Sequence, residues 1–583
     1  MYCIIQHSLK NLAPITWGKV SSLYEKVLIV GVFFMLPLIT SASLRDSYTV
    51  IKWKLVHVFA ILALFQLLFM HKKLILPNLG RPFTLIFLGI IGLWGWEYYF
   101  HQIPFFSAVT LDRAAFVGLV LFFYKNFKDT PRTLDFVCHS VMASMVIFAV
   151  LVFKQGMLTP QELFAYDLPI AVRSKIQLTF GNENMAAQFI SVSFLCIFRE
   201  IFVRKTLWIK ILCGFFGVLT ALFLLKTGCR SALLGVSMGA AFYGAMQVRS
   251  PYRGYFLKGG FILGICLLTL FVGVRTRTVQ HRQEMWTNAI QMVKDYPFGV
   301  GRERFNFYHV LYQSPHQIQP RFEGLIERTP HNEALKYLVE EGWIFLGLVI
   351  LMLVLLLKTH GSFLLKTLRK EERLQWIGGL FFVLGSEFSF QFPFEIAFPY
   401  LMVAYFFGYI LSVIPKEQKV SLPLVVTIPG FFLFVTATAF LFVANLGHGS
   451  KRFDSFFTKL GCRIAPYEWR TCDQYVKTLE EEEKWWKILP ECLDQLERRP
   501  YNFTSLVQLG RAYFMEKDLK NSCKVAWFYD RLFDHQSHLK GFVTNVCPRS
   551  DQEHYLNLSL KDHYRGVFDH LSEAHQKRLL RRV

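Results

Sequence analysis

The stretch Leu225 Lys226 Thr227 Gly228 Cys229 Arg230 Ser231 Ala232 Leu233 Leu234 Gly235 decides the fold of this chain. It wedges a few polar residues between two apolar runs, 207–225 and 231–248. Each run is close to the roughly 20 residues that cross a hydrocarbon core about 30 Å thick. Gly228 supplies the turn chemistry, so the runs read as an antiparallel pair of membrane helices. The turn does not need Arg230. An arginine there either anchors at the lipid surface or binds an anion, and position alone does not choose.

The same pattern repeats outward along the chain. The 583 residues are 53% hydrophobic and 16% aromatic, with a mean hydropathy of +0.33. That is too apolar for a soluble protein of this length. About thirteen segments (28–43, 53–70, 82–99, 105–124, 137–154, 186–203, 207–225, 231–248, 256–274, 343–358, 375–391, 395–414 and 422–444) approach spanning length. The expected fold is therefore all-α and polytopic, with about 12–14 transmembrane helices. The net charge of +22 suggests nucleic acid only until its distribution is read. Roughly 23 Lys and Arg fall in one set of alternate loops, including Lys72, Lys73, Arg199, Arg204, Lys205, Arg249 and Lys370, against roughly 8 in the other set. The positive-inside rule then puts the N-terminus inside and the tail beyond residue 444 outside, and leaves no role for nucleic acid. Lys10, Lys19 and Lys26 before the first span and Ser41 Ala42 Ser43 after it loosely resemble a signal peptide. The charge alternation already works with an uncleaved helix, so that reading is preferred. Five of the 11 cysteines (Cys462, Cys472, Cys492, Cys523, Cys547) lie in the tail, where disulfides are permitted; the odd number leaves their pairing open.

Two domains follow: a membrane domain over 1–444 and an external helical domain over 445–583. Within the first, Asp112 and Arg113 are adjacent and so point about 100° apart on a helix, serving either as anchors or in a site. Asn184, after Gly181 Asn182, is a candidate cap for the sixth span. The longest polar stretch among the spans is an external loop, 275–342. Met285, Trp286, Ala289, Met292 and Val293 fall at helical spacing over 278–294, which predicts an amphipathic helix lying on the membrane surface. Pro297, Gly299 and Gly301 end it. Asn332 caps a further helix, Glu333 to Glu341, that Gly342 closes; His331 stands just before the cap. In the tail, 499–514 and 521–533 read as one helical hairpin of tetratricopeptide type, with a flanking helix at 480–499.

In this order the pieces resemble the O-antigen ligase and polymerase superfamily of bacterial envelope proteins. The resemblance rests on Thr227 to Leu234; Arg282, Trp286 and Ala289; Pro297 to Gly301 with Phe305; Pro330 His331 Asn332 with Leu335 and Glu340 to Gly342; Phe392 Pro393 Phe394; and Gly181 to Asn184 with Ala187. It covers 180–410. Cys229 stands where serine is common, and Arg302 and Arg304 replace small or polar residues.

The resemblance implies a glycosyltransferase of the inner membrane that moves a glycan from an undecaprenyl-diphosphate carrier to an acceptor hydroxyl, with no cofactor and no metal. No Asp-Asp or Asp-x-Asp motif stands near the loop. Guanidinium groups suit a departing diphosphate, which they bind in a bidentate way; Arg230 and Arg282 are the candidates. His331 is the candidate base, because an imidazole is available as a neutral base near neutral pH. Lys226, Arg302 and Arg304 are second-tier candidates for diphosphate or headgroup contact, against simple attraction to anionic lipid. The acceptor stays open between a lipid A core sugar (ligase), a growing glycan (polymerase) and a protein hydroxyl (O-oligosaccharyltransferase). The tail offers a surface for a protein partner. A lipid-linked glycan flippase would instead need an internal repeat and charges near the midplane.

Overall fold

A computed structural model describes residues 17–40, 49–70, 74–77, 80–100, 108–129, 132–155, 176, 178–248, 276–313, 329–391, 394, 396–414, 419–422, 424–445, 469–498 and 503–532, with short pieces between 252 and 262 and between 458 and 463. The membrane part comprises α1 (Trp17–Met35), α2 (Thr49–Phe65, extended by a π turn), α3 (Arg81–Phe100), α4 (Ala108–Asp129), α5 (Thr133–Lys154), α6 (Glu183–Val203), α7 (Leu207–Thr227) and α8 (Arg230–Gln247). The loop holds α9 (Thr276–Asp295) and the short α10 (Phe305–His309). It leads into α11 (Glu333–Leu368), α12 (Glu372–Phe390), α13 (Ala397–Val413) and α14 (Leu424–Asn445). The tail gives α15 (Trp469–Glu481), α16 (Trp485–Arg498), α17 (Phe503–Met515) and α18 (Leu519–Leu532).

Each expected span coincides with a helix except the ninth, 256–274, which lies largely outside the described residues. α1 sits earlier than 28–43 because Pro37 cannot continue a helix, so it stops at Met35. Among the described residues, five helices are long and apolar enough to cross a membrane: Ile51–Phe69, Thr133–Lys154, Glu183–Val203, Leu207–Thr227 and Glu333–Leu368. Pro82–Trp96, Ala397–Val413 and Thr427–Ala439 are shorter apolar helices. The chain is a multi-pass membrane protein. One departure from an all-helical reading is a two-stranded antiparallel ladder, β1 (Leu74–Pro77) with β2 (Lys419–Leu422), which joins the α2–α3 and α13–α14 connections.

One apolar core unites the bundle, from Phe33 and Phe59 through Phe122 and Phe189 to Leu380 and Tyr405. α8 packs closely on α12. A Cβ on Gly239 would meet the Gly379 carbonyl at 2.6 Å, and one on Gly235 would meet Val383 Cα at 3.0 Å. Small residues one turn apart let the two backbones touch, the device that packs helices in lipid. Far from Arg230, the buried Arg199 binds Glu372 (2.8 Å), Asp135 (2.9 Å) and Glu200 (3.0 Å), which ties α5, α6 and α12 together.

The loop corrects one expectation. α9 is amphipathic, but its apolar face does not lie on lipid: Met285, Ala289, Met292 and Val293 are buried inside the protein. Ala289, Met292 and Val293 share a second core with Val300, Phe305, Leu338 and Val339, and that core continues into Val476, Ile488 and Leu506 of the tail. The tail helices therefore sit on the loop's side of the bundle. The expected hairpin is α17 and α18, and its flanking helix is α16, preceded by α15. Cys462 and Cys472 form a disulfide and Cys492 is free. Cys547, residues 41–43 and the tail beyond 532 lie outside the described residues.

Candidate functional site

Three chain segments meet at the C-terminal end of α12. From α9, Arg282 Nη1 donates to the Phe390 carbonyl at 3.3 Å, and Trp286 Nε1 donates to the Pro330 carbonyl at 2.8 Å. From the start of α11, Asn332 uses both ends of its amide. Its Oδ1 accepts from Leu335 N at 2.9 Å, which caps the helix, while its Nδ2 donates to the Ser389 carbonyl at 3.0 Å. From the start of α8, Ser231 Oγ donates to Glu387 Oε2 at 3.2 Å, and Ser386 Oγ donates to the Ser231 carbonyl at 2.7 Å. Arg230, Arg282 and His331, from three separate parts of the sequence, thus share one neighbourhood.

Each side chain is held for a local reason. α7 ends at Thr227, Gly228 takes the left-handed conformation (φ 62°), and Arg230 opens α8 after Cys229, which makes no side-chain cap. The first-turn N–H groups and the positive end of the helix dipole therefore lie beside the guanidinium. Arg230 Nη2 is buried with no hydrogen-bond partner. Burial, with the Arg282 charge adding to it, pushes this guanidinium below its ordinary value. His331 also has a left-handed backbone (φ 50°), uncommon outside glycine, and its N–H reaches Thr329 Oγ1 at 3.4 Å. A residue held in that region directly before a helix cap is over-determined by its surroundings.

Glu387 was not among the sequence candidates. It is 1% exposed, its Oε1 has no hydrogen-bond partner, and Gln391 Nε2, one turn on, reaches Cys229 Sγ at 3.8 Å. The signal was present: an acid inside the apolar run 375–391. Cys229 is buried and its thiol is held protonated. Burial pushes its thiol up to about 12, Glu387 adds to the rise, and a protonated thiol does not attack.

The glycine motif of the loop is a backbone clasp. α11 breaks at Gly342 (φ 82°), which leaves carbonyls at the end of its first segment. Val300 N donates to the Val339 carbonyl and Gly301 N to the Glu340 carbonyl, both at 2.9 Å, and Trp343 N returns to the Pro297 carbonyl at 3.1 Å. A Cβ on Gly299 would lie 2.3 Å from the Glu340 carbonyl oxygen.

Other candidates are engaged elsewhere. Arg302 binds Glu341 at 3.2 Å and covers the Tyr337 ring; Arg113 binds the same Glu341 at 2.7 Å and covers Trp94. Asp112 pairs with His57 at 2.8 Å, so the adjacent Asp112 and Arg113 tie separate helices. Lys226 is buried in the last turn of α7, and Arg304 adjoins Tyr308. The cap of α6 is Asn182, not Asn184: Asn182 Oδ1 accepts from Asn184 N at 2.8 Å. Phe392 and Pro393 lie outside the described residues; Phe394 packs edge-on to Tyr337.

Residues 215–352 match the O-antigen ligase family. This match supports membership in the O-antigen ligase and polymerase superfamily. Comparison with curated proteins finds no match. The O-antigen ligase domain runs from α7 into the second segment of α11, so it contains Arg230, Arg282, His331 and the Gly299–Gly342 clasp. Glu387 lies outside the matched residues, on the helix to which all three segments attach.

Proposed function

We propose that this protein transfers a glycan from an undecaprenyl-diphosphate carrier to an acceptor hydroxyl at the outer face of the bacterial inner membrane, as an O-antigen ligase. The observation that carries this reading is the convergence of Arg230, Arg282 and His331 around the end of α12. The acceptor O–H gives its proton to His331 while its oxygen bonds to the anomeric carbon. The bond from that carbon to the diphosphate oxygen breaks, and the electron pair leaves on the carrier. Arg230, Arg282 and the N-terminal dipole of α8 meet that charge with fixed donors, so the reaction needs no metal. Glu387 accepts from Ser231 Oγ and so positions it before the donor arrives. The disulfide Cys462–Cys472 fits an oxidising compartment for the tail.

Deleting the gene and analysing the envelope tests this. A ligase leaves lipopolysaccharide without polymer and carrier-linked polymer accumulating. Single-repeat caps would mark a polymerase, and unglycosylated envelope proteins an O-oligosaccharyltransferase. An unchanged glycan profile would contradict the assignment.

A further inference from the structure

The end of the bundle opposite Arg230 carries its own arrangement. α7 turns much of its surface outward, with Trp208 78% and Phe215 63% exposed, as a helix facing lipid does. Between α7, α5 and α6 runs a groove of about 270 Å³ walled by Met142, Ala143, Val146, Leu212, Phe216 and Leu219. Its polar end is His139, whose Nε2 lies 2.5 Å from Arg204 Nη2. Lys205 is exposed and Lys210 half-buried just beyond, and neither has an acidic partner among the described residues. α7 starts at this point, and its N-cap, Thr206, makes no side-chain hydrogen bond to the first turn. At about 1.5 Å per residue, the 21 residues of α7 put this point about 31 Å from the Gly228 turn, across the bilayer from the transfer site.

We propose that this groove is a binding site for an anionic phospholipid. One acyl chain lies against α5, α6 and α7, and the headgroup phosphate sits on Lys205, Lys210 and the α7 N-terminus, while Arg204 stays bound to Glu200 at 2.5 Å. The groove selects a chain, the cations and helix end select an anion, and Trp208 sits at headgroup depth, where interfacial tryptophans gather. A soluble anion has no use for the apolar walls. A zwitterionic lipid gains little from the cations.

Native mass spectrometry of the detergent-purified protein, given equal phosphatidylglycerol and phosphatidylcholine of the same chains, tests the site. The wild type should retain the anionic lipid about tenfold over the zwitterionic one. Lys205→Gln/Lys210→Gln, which breaks no described ion pair, should bring that ratio close to one. Ala143→Trp, which fills the groove from an exposed position, should lower retention of both lipids, and inorganic phosphate should not displace the bound lipid. Equal retention of the two lipids by the wild type, an undiminished ratio in the lysine variant, full retention in Ala143→Trp, or displacement by phosphate would each overturn the proposal.

Discussion

Arg230 and Glu387 both stand near the junction of α8 and α12, and each leaves a buried polar atom without a partner. Buried groups of this kind are costly unless something completes them, and a diphosphate does so for the arginine. Arg230→Ala should therefore lower kcat/KM for the donor by about 10²-fold or more, the cost of losing a fixed donor to developing charge. Arg230→Lys, which keeps the charge but loses the fork, should recover only part of it. If Arg230 is only a lipid anchor, steady-state kinetics will show full recovery in the lysine variant. Glu387→Gln keeps the shape and removes the carboxyl. It should cut transfer about tenfold or more with little change in melting temperature, since the neutral amide still meets Ser231. The arginines and His331 were legible in the sequence through short motifs in a fixed order. Glu387 was not, because one acid near the end of an apolar run looks like a span boundary until its neighbours are known.

At the scale of elements, the clasp between Pro297–Gly301 and the break in α11 holds His331's helix against the loop. Gly299 has φ 88°, and an added Cβ would sit 2.3 Å from a backbone carbonyl that cannot move without breaking the α11 junction. Gly299→Ala should destabilise the protein by about 2 kcal/mol or more, seen as a lower melting temperature by circular dichroism. An unchanged melting temperature would mean the clasp is not tight. Sequence reading took Gly299 and Gly301 as a turn, which they are, but could not know that the turn is closed by another helix. The same limit explains α9. Periodicity reveals an apolar face and not what covers it, and here the cover is α11 and the tail core rather than lipid.

At the scale of the whole molecule, the loop and the tail share one buried core, so the tail is part of the scaffold of the site and not an appendage. Removing 446–583 should uncover the loop core and abolish transfer even though Arg230, Arg282 and His331 all remain. Limited proteolysis should then cut the 276–342 region, which the intact protein protects. Helix number and order were readable from apolar runs. The pairing of β1 with β2 was not, since two four-residue strands more than 300 positions apart leave no local pattern. The central claim is that His331 takes the acceptor's proton. The direct measurement is transfer by purified protein from a polyprenyl-diphosphate-linked glycan, comparing the wild type with His331→Asn, whose side chain tolerates the left-handed backbone. His331→Asn should lower the rate by about 10²- to 10⁴-fold at an unchanged melting temperature. Transfer at the wild-type rate would contradict that claim.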